Sequence, residues 1–131
     1  MKRKSLIDSY ALLAYLKQEN NYRKVENLLS SKETQPLMND INIGETFYIL
    51  ARERGLDKAE YFINAILPNL PIIKTGNAFA EVMQAAKIKA QYPISYADCF
   101  AVATAIREKA VIITGDPDFK HVEKIVEIDW L

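Results

Sequence analysis

The segment VIITGDPDF, residues 111–119, joins the pattern of a buried strand to two acidic residues that follow the end of that strand. The run AVIIT, residues 110–114, is apolar and rich in β-branched side chains, as is typical of a strand buried in a parallel sheet. Asp116 and Asp118 come next, with Pro117 between them. Two negative charges at this point are either turn residues or one half of a site that distant parts of the chain complete.

Strand-like and helical segments alternate along the rest of the sequence. Besides residues 110–114, strands are predicted at 3–8, 36–38, 70–74 and 124–128. Helices are predicted at 10–18, 22–31, 40–54, 56–67, 77–91 and 95–109, the third capped by Asn39 or Asp40 and closed by Gly55, the last capped by Ser95. This alternation implies a parallel sheet covered by helices on both faces. Because no linker, repeat or low-complexity segment interrupts it, we expect one α/β domain over residues 1–131.

Composition excludes several classes of protein. Seventeen basic and seventeen acidic side chains give a formal net charge of +0, which argues against nucleic-acid binding by bulk charge. No window approaches the roughly 18 apolar residues of a membrane helix, and Asp8 interrupts the only segment that resembles a signal peptide. One cysteine, Cys99, rules out an internal disulfide. We therefore expect a cytoplasmic protein that does not contact membranes.

Two acids are predicted at the carboxyl ends of strands, where ligand sites of such sheets form. Asp8 follows the apolar residues of the first strand, and Asp116 follows residues 110–114. Adjacent parallel strands lie about 4.8 Å apart, so the two carboxylates could share one ion if these strands are neighbours. Periodicity alone does not order the strands.

Two further acids lie on apolar helix faces. Glu45 shares its predicted face with Ile41, Tyr48 and Ile49, and Asp98 begins a helix that is apolar nearly all round. Acidic side chains are seldom buried unless they are paired or bind a cation.

Each acid also has a structural interpretation. Asp8 could cap the first helix, and Ser95 with Asp98 fits a capping box. Asp116 and Asp118 could be turn residues, and Glu45 could pair with a distant lysine. Four independent coincidences would be needed for all of these to hold alone, so we favour a cluster.

A cluster of carboxylates requires a compensating charge. Two carboxylates about 4 Å apart repel by roughly 4 kcal/mol at an effective dielectric constant near 20. Several such pairs would rival the whole stability of a domain, about 5–15 kcal/mol. Mg²⁺ or Mn²⁺ suits oxygen ligands, and no group of His and Cys favours zinc. An ion held in this way suits phosphodiester hydrolysis, because it polarises the phosphate and lowers the pKa of an attacking water.

The motifs around these acids resemble the PIN-domain family of ribonucleases, in particular the short VapC-like toxins of type II toxin–antitoxin pairs. The matching segments are LIDSYALLAYL around Asp8, NIGETFYIL around Glu45, SYADCFAVATA around Asp98, and ITGDPDF around Asp116. Each segment is weakly specific alone, whereas their order and spacing together are specific.

The resemblance implies a three-layer α/β/α sandwich whose mostly parallel sheet has the order 3-2-1-4-5. It also implies that Asp8, Glu45, Asp98 and Asp116 are catalytic and hold Mg²⁺ or Mn²⁺, with Asp118, Thr114 and Ser9 in secondary positions. The substrate it implies is RNA, and the implied partners are a cognate antitoxin and a second copy in a homodimer.

Two other functions compete with a metal-dependent endoribonuclease. The same scaffold could serve as a catalytically silent RNA-binding or assembly subunit, against which the intact acidic quartet argues. An aspartate-nucleophile phosphotransferase would normally carry another acid two residues after Asp8, where this chain has Tyr10.

Other polar and aromatic residues are given structural roles. His121 is expected at the surface, and Cys99 in the core. Six basic residues are candidate phosphate contacts but are interpreted first as surface charges: Arg52, Arg54, Lys87, Lys89, Arg107 and Lys120. Five aromatic residues could stack on bases or face a dimer partner but are predicted to pack in the core: Tyr10, Tyr15, Tyr48, Tyr61 and Phe62.

Overall fold

Five strands form one parallel sheet in the computed structural model, which describes residues 2–131. The strands are β1 (Arg3–Ile7), β2 (Thr34–Asn39), β3 (Ile73–Thr75), β4 (Val111–Thr114) and β5 (Ile128–Trp130). Their order across the sheet is β3-β2-β1-β4-β5, and each neighbouring pair is parallel. The predicted fold class and strand order are therefore confirmed.

Helices cover both faces of the sheet. They are α1 (Ser9–Lys17), α2 (Tyr22–Ser30), α3 (Asp40–Arg54), α4 (Leu56–Tyr61), α5 (Phe79–Gln91) and α6 (Tyr96–Glu108). Alternate strand residues point to opposite faces. Leu6 and Ile112 pack with α5 and α6 on one face, while Ile7 and Ile113 pack with the first four helices on the other. Two apolar cores separated by the sheet make the three layers.

The predicted start and end of α3 are both confirmed. The Asn39 side chain accepts a hydrogen bond from the backbone N–H of Ile41 at 2.9 Å, so Asn39 is the cap of α3. Gly55 ends α3 with φ +93°, a value that glycine adopts without the steric cost other residues incur.

Two strands differ in position from the prediction. The last strand spans Ile128–Trp130 rather than 124–128, because a 3₁₀ segment (Pro117–Val122) and a turn occupy the preceding residues. β3 begins at Ile73 rather than at residue 70. The chain after α4 continues through a π-helical turn (Phe62–Ile66) and a 3₁₀ turn (Leu67–Asn69), which accommodates Pro68 and delays the strand. Both boundaries depended on local backbone geometry that an apolar pattern does not encode.

Within residues 2–131, we find no helix with both the length and the apolar character required to cross a membrane.

Candidate functional site

The pairing of β1 with β4 brings two of the predicted acids to the same edge of the sheet. Ile7 lies opposite Ile113, and the backbone N–H of Asp8 donates to the carbonyl of Ile113 at 3.4 Å. The Thr114 hydroxyl donates to Asp8 Oδ2 at 2.5 Å and accepts from the backbone N–H of Asp116 at 3.0 Å. The neighbouring strands that a shared site requires are thus present, and Thr114 connects the two acids.

Asp8 is buried at this edge and also caps α1. Its Oδ1 accepts from the backbone N–H of Ala11 at 2.8 Å, so the predicted capping role is confirmed. Burial raises the pKa of Asp8 to about 8, although the hydrogen bonds from Thr114 and Ala11 act in the opposite direction. The charges of Asp98 and Asp116 raise it further. A carboxyl group in this position favours its neutral form unless a positive charge is nearby.

Asp98 reaches the same region from the first turn of α6. Its backbone N–H donates to the Ser95 hydroxyl oxygen at 3.1 Å, which confirms Ser95 as the cap of α6. The side chain is buried, and burial raises its pKa to about 7, although a hydrogen bond between the Ser95 side chain and the Asp98 carboxyl group acts in the opposite direction. The charges of Asp116, Glu45 and Asp118 also raise it. Helix capping therefore positions Asp98 without neutralising it.

Asp116 and Asp118 complete a group of three close carboxylates with Asp98. One oxygen from each of the three lies within 4.8 Å of the others. Asp116 Oδ1 also accepts from the backbone N–H of Asp118 at 2.9 Å, so the predicted turn role of Asp116 is present as well. The sequence analysis gave Asp118 only a secondary position, whereas the structure places its carboxylate in one close group with those of Asp98 and Asp116.

Glu45 lines the same pocket from the third helix. Its Oε1 accepts a hydrogen bond from the Ser9 hydroxyl at 2.5 Å. The expectation that its helix face is buried was wrong, because Ile41 and Tyr48 on that face are exposed and Glu45 itself is half-buried. Sequence spacing identified an apolar face correctly but could not show that this face borders an open groove.

We call Asp8, Glu45, Asp98, Asp116 and Asp118 the acidic cluster. Four of them line a cavity of about 300 Å³, and Asp8 lies buried beside them. The cavity is also lined by Ser9, Tyr10, Leu13, Ile49 and Ser95. Neither lysine nor arginine lines it, and no ion pair within residues 2–131 involves a member of the cluster. The predicted pairing of Glu45 with a distant lysine is absent from this part of the chain.

A larger cavity, of about 650 Å³, lies elsewhere between α3 and β3. Its walls are mainly aliphatic, from residues such as Ile43, Ile63 and Leu67, and its charged groups are Asp40 and Lys74. We place the functional site by chemistry rather than by volume. Four acids converge at the smaller cavity, and of the two acids with raised pKa values Asp98 lines it and Asp8 lies buried beside it.

The aromatic residues were only partly assigned correctly. Phe62 is buried as predicted, but Tyr10, Tyr48 and Tyr61 are 47%, 46% and 61% exposed. Tyr10 in particular lines the acidic cavity, so it is a site residue that sequence reasoning placed in the core. Its position two residues after Asp8 was the available signal.

Asn42 was also missed as a residue near the site. It is buried on α3, one helical turn before Glu45, and its Nδ2 donates to the carbonyl of Ala97 at 3.1 Å. This bond joins α3 to the first turn of α6, immediately before Asp98. Asn42 Oδ1 has no hydrogen-bond partner within the described chain.

The remaining polar residues lie away from the cavity. His121 is exposed and Cys99 is buried, as expected. Of the six candidate phosphate contacts, all but Arg107 are exposed, and Arg107 is half-buried and donates to Gln84 Oε1 at 3.2 Å. None of the six lines the acidic cavity.

Solved structures share this fold. VapC20 from Mycobacterium tuberculosis, described as a toxin that cleaves the sarcin–ricin loop, superposes with a TM-score of 0.75 at 17% identity, covering 94% of this chain and 97% of that one. VapBC2 from Rickettsia felis, bound to a DNA fragment from its promoter, gives 0.73 at 16% identity and 98% coverage of both chains. FitAcB from Neisseria gonorrhoeae gives 0.66 at 22% identity and 95% coverage of both. At these identities the likeness shows the fold alone.

Sequence comparison identifies the family. No curated protein matches this chain by sequence. A family model described as the PIN domain matches residues 5–125, which is nearly the whole chain. The match runs from within β1 to just beyond the 3₁₀ segment after β4, and it therefore includes every residue of the acidic cluster. The chain belongs to the PIN domain family.

Proposed function

We propose that this protein, as one PIN-like domain over residues 1–131, is a metal-dependent endoribonuclease and the toxin of a type II toxin–antitoxin pair. The observation that carries the proposal is the acidic cluster. Folding gathers five carboxylates from four separate segments of the chain, and none of them forms an ion pair within residues 2–131. Such a cluster is costly unless a cation joins it.

The donor set fits Mg²⁺ or Mn²⁺. Carboxylate oxygens of Asp98, Asp116 and Asp118 lie within 4.8 Å of one another, a spacing that small side-chain movements can bring into coordination of one ion. All ligands offered are oxygens, which excludes the soft donor sets that zinc and copper prefer. Raised pKa values of Asp8 and Asp98 are further support, because both groups gain from a nearby positive charge.

Within the proposed site, Asp8, Glu45, Asp98 and Asp116 hold the ion. A bound divalent ion supplies charge that stabilises the phosphate as negative charge develops on it and makes an attacking water more acidic. Thr114 orients Asp8 through its hydroxyl, and Ser9 orients Glu45. Asp118 has a carboxylate close enough to supply a further ligand or to accept a proton.

RNA and an antitoxin are the proposed partners. VapC20 is described as a toxin that cleaves the sarcin–ricin loop, and several similar structures are toxin–antitoxin complexes, two of them from Rickettsia felis and Salmonella typhimurium bound to DNA. These descriptions support an RNA substrate and a cognate antitoxin for this chain. The proposed homodimeric assembly follows from the resemblance to the family. A cytoplasmic location is proposed together with these two partners.

A cleavage assay on purified protein tests the proposal. We expect RNA cleavage in Mg²⁺ or Mn²⁺ that stops on addition of a chelator and resumes when the ion is restored. Asp8→Asn protein should be folded and inactive. Cleavage that persists in the chelator, or in Asp8→Asn protein at the wild-type rate, would show that the acidic cluster is not the active site.

A further inference from the structure

A cleft continues from the acidic cavity between α1 and α3. It has a volume of about 370 Å³, and Tyr10, Leu13 and Ile49 line both spaces, so the two form one groove. The far end of the cleft is lined by Lys17, Glu19 and Glu53. We call this second space the flanking cleft.

Tyr10 lies at the junction of the two spaces. The Tyr10 ring lies against the backbone at Gly115, where a Cβ would come within 2.5 Å of Tyr10 Cε1 and 3.1 Å of Cδ1. Any larger residue at 115 would therefore displace the ring, and glycine permits this close approach. Even so, Tyr10 is 47% exposed, whereas the neighbouring Ala11 and Leu12 are fully buried. A half-exposed aromatic ring thus lies directly beside the acidic cluster.

The charges of the flanking cleft decide which part of an RNA strand can enter it. Lys17 Nζ lies 3.0 Å from Glu53 Oε1 and 3.5 Å from Glu19 Oε1, so two carboxylates already surround the one cation. The end of the cleft is therefore net negative and repels phosphate. Its walls nearer the acidic cluster are Leu13, Ile49 and the Tyr10 ring, which suit a flat, uncharged group.

We propose that Tyr10, supported by Leu13 and Ile49, stacks on an unpaired nucleobase that adjoins the phosphate cut at the acidic cluster. This inference rests on the proposed ribonuclease function and specifies how the strand lies: phosphate at the carboxylates, base in the flanking cleft. Stacking on aromatic side chains is how proteins usually hold single-stranded RNA, and it tolerates different bases because each has a π face. The site accordingly selects unpaired RNA over duplex.

Measurements of RNA affinity test the contribution of the Tyr10 ring. Labelled, unstructured RNA that the wild-type protein cuts would be titrated against Asp98→Asn protein, in which cleavage is slow enough for the strand to stay intact during the measurement. Adding Tyr10→Ala should weaken binding by about 5- to 150-fold, the effect of losing one stacked base. Tyr10→Phe should stay within about twofold because it keeps the ring. Tyr61→Ala is the matched control, since Tyr61 is an exposed helical tyrosine that does not line the groove.

Abasic substitution in the RNA identifies the stacked base. Removing the base at the stacked position should weaken binding to the protein that retains Tyr10. The same change in the RNA should have no further effect on binding to the protein that carries Tyr10→Ala. Equal affinities of the Tyr10→Ala and Tyr10→Phe proteins, at unchanged thermal stability, would overturn the stacking site. If the wild-type protein still cuts RNA in that case, the proposed function stands. A protein that neither binds nor cuts RNA overturns both.

Discussion

Two polar clusters lie at the carboxyl edge of the same sheet. They differ in whether the side chains of the cluster satisfy one another. The first, which we call the amide cluster, consists of Asn39, Asn77 and Thr104 at the end of β2. Asn39 Nδ2 donates to Asn77 Oδ1 at 2.8 Å and to Thr104 Oγ1 at 2.9 Å, and Asn77 Nδ2 returns a bond to Asn39 Oδ1 at 3.0 Å. The second is the acidic cluster at the ends of β1 and β4.

The difference arises from the chemistry of the side chains. An amide both donates and accepts, so two asparagines satisfy each other without outside help. Ionised carboxylates only accept, and neighbouring ones repel. Both clusters take a residue from α6, Thr104 in one and Asp98 in the other, and both residues are buried. Burial of polar groups therefore does not distinguish a functional site, whereas uncompensated like charge does.

The largest expected effect is on the rate of RNA cleavage, which should depend on the acidic cluster and not on the amide cluster. Asp98→Asn should lower the rate of RNA cleavage by about 10²–10³-fold or more, the range for removal of one preorganised electrostatic group from an active site. Thr104→Val removes a hydroxyl that accepts from Asn39 and donates to the Phe100 carbonyl at 2.7 Å. It should lower the free energy of unfolding by about 1–3 kcal/mol, because buried groups lose their partners. Cleavage per folded molecule should be unchanged.

Rate measurements at saturating Mn²⁺, together with urea unfolding of each variant, check this separation. The comparison fails if Thr104→Val slows cleavage as much as Asp98→Asn does while remaining folded. It also fails if Asp98→Asn is the less stable of the two without metal, because removing a charge from the acidic cluster should relieve repulsion.

The pH dependence of stability gives a second contrast, in the free energy of unfolding rather than in the rate of cleavage. Unfolded aspartates lose their protons near pH 4, whereas folded Asp98 and Asp8 have pKa values of about 7 and 8. Between these values the folded state binds more protons than the unfolded state, so stability falls as pH rises. In a chelator we expect the free energy of unfolding to fall by on the order of 6 kcal/mol from pH 5 to pH 8 if both shifts act in full.

Urea unfolding at several pH values, with chelator or with Mn²⁺, measures this slope. Mn²⁺ should restore stability most strongly at pH 8, where the carboxyl groups are ionised. Asp8→Asn should flatten the metal-free profile, and Thr104→Val should keep the wild-type slope at a lower level. A metal-free profile that rises from pH 5 to pH 8 would contradict the buried, uncompensated state of Asp8.

The fold could be predicted because its pattern is local and repeated. Alternating strand and helix segments gave the fold class, and the resemblance supplied the strand order. Predicted strand boundaries were wrong where the same residues suit either a strand or a turn. Ile125 and Val126 read as part of a strand, yet the turn after the 3₁₀ segment places Val126 in the core next to Val122. An apolar residue in a turn and one in a strand look alike in sequence.

The candidate site was predictable in its acids but not in its surroundings. Acids after strands stand out against an apolar background, as Asp8 and Asp116 do. The capping interpretations of Asp8 and Ser95 were also correct, so a side chain can fix the local backbone and still contribute to a cluster. Tyr10 was placed wrongly because helical periodicity gives the direction of a face but does not show where the protein ends and a groove begins.

The smallest expected effect concerns the bond that orients Glu45. Ser9→Ala removes the hydroxyl that donates to Glu45 Oε1 at 2.5 Å. Because Glu45 is half-buried, losing a hydrogen bond to a charged group there should cost about 0.5–1.5 kcal/mol. If Glu45 acts with the ion, the Mn²⁺ concentration for half-maximal cleavage should rise by about two- to tenfold, with the rate at saturation little changed. Ser30→Ala is the matched control, since Ser30 is an exposed helical serine that donates to the carbonyl of Glu26 in its own helix. A lower saturating rate at unchanged Mn²⁺ dependence would instead place Glu45 at the phosphate rather than at the ion, and so would divide the acidic cluster by role.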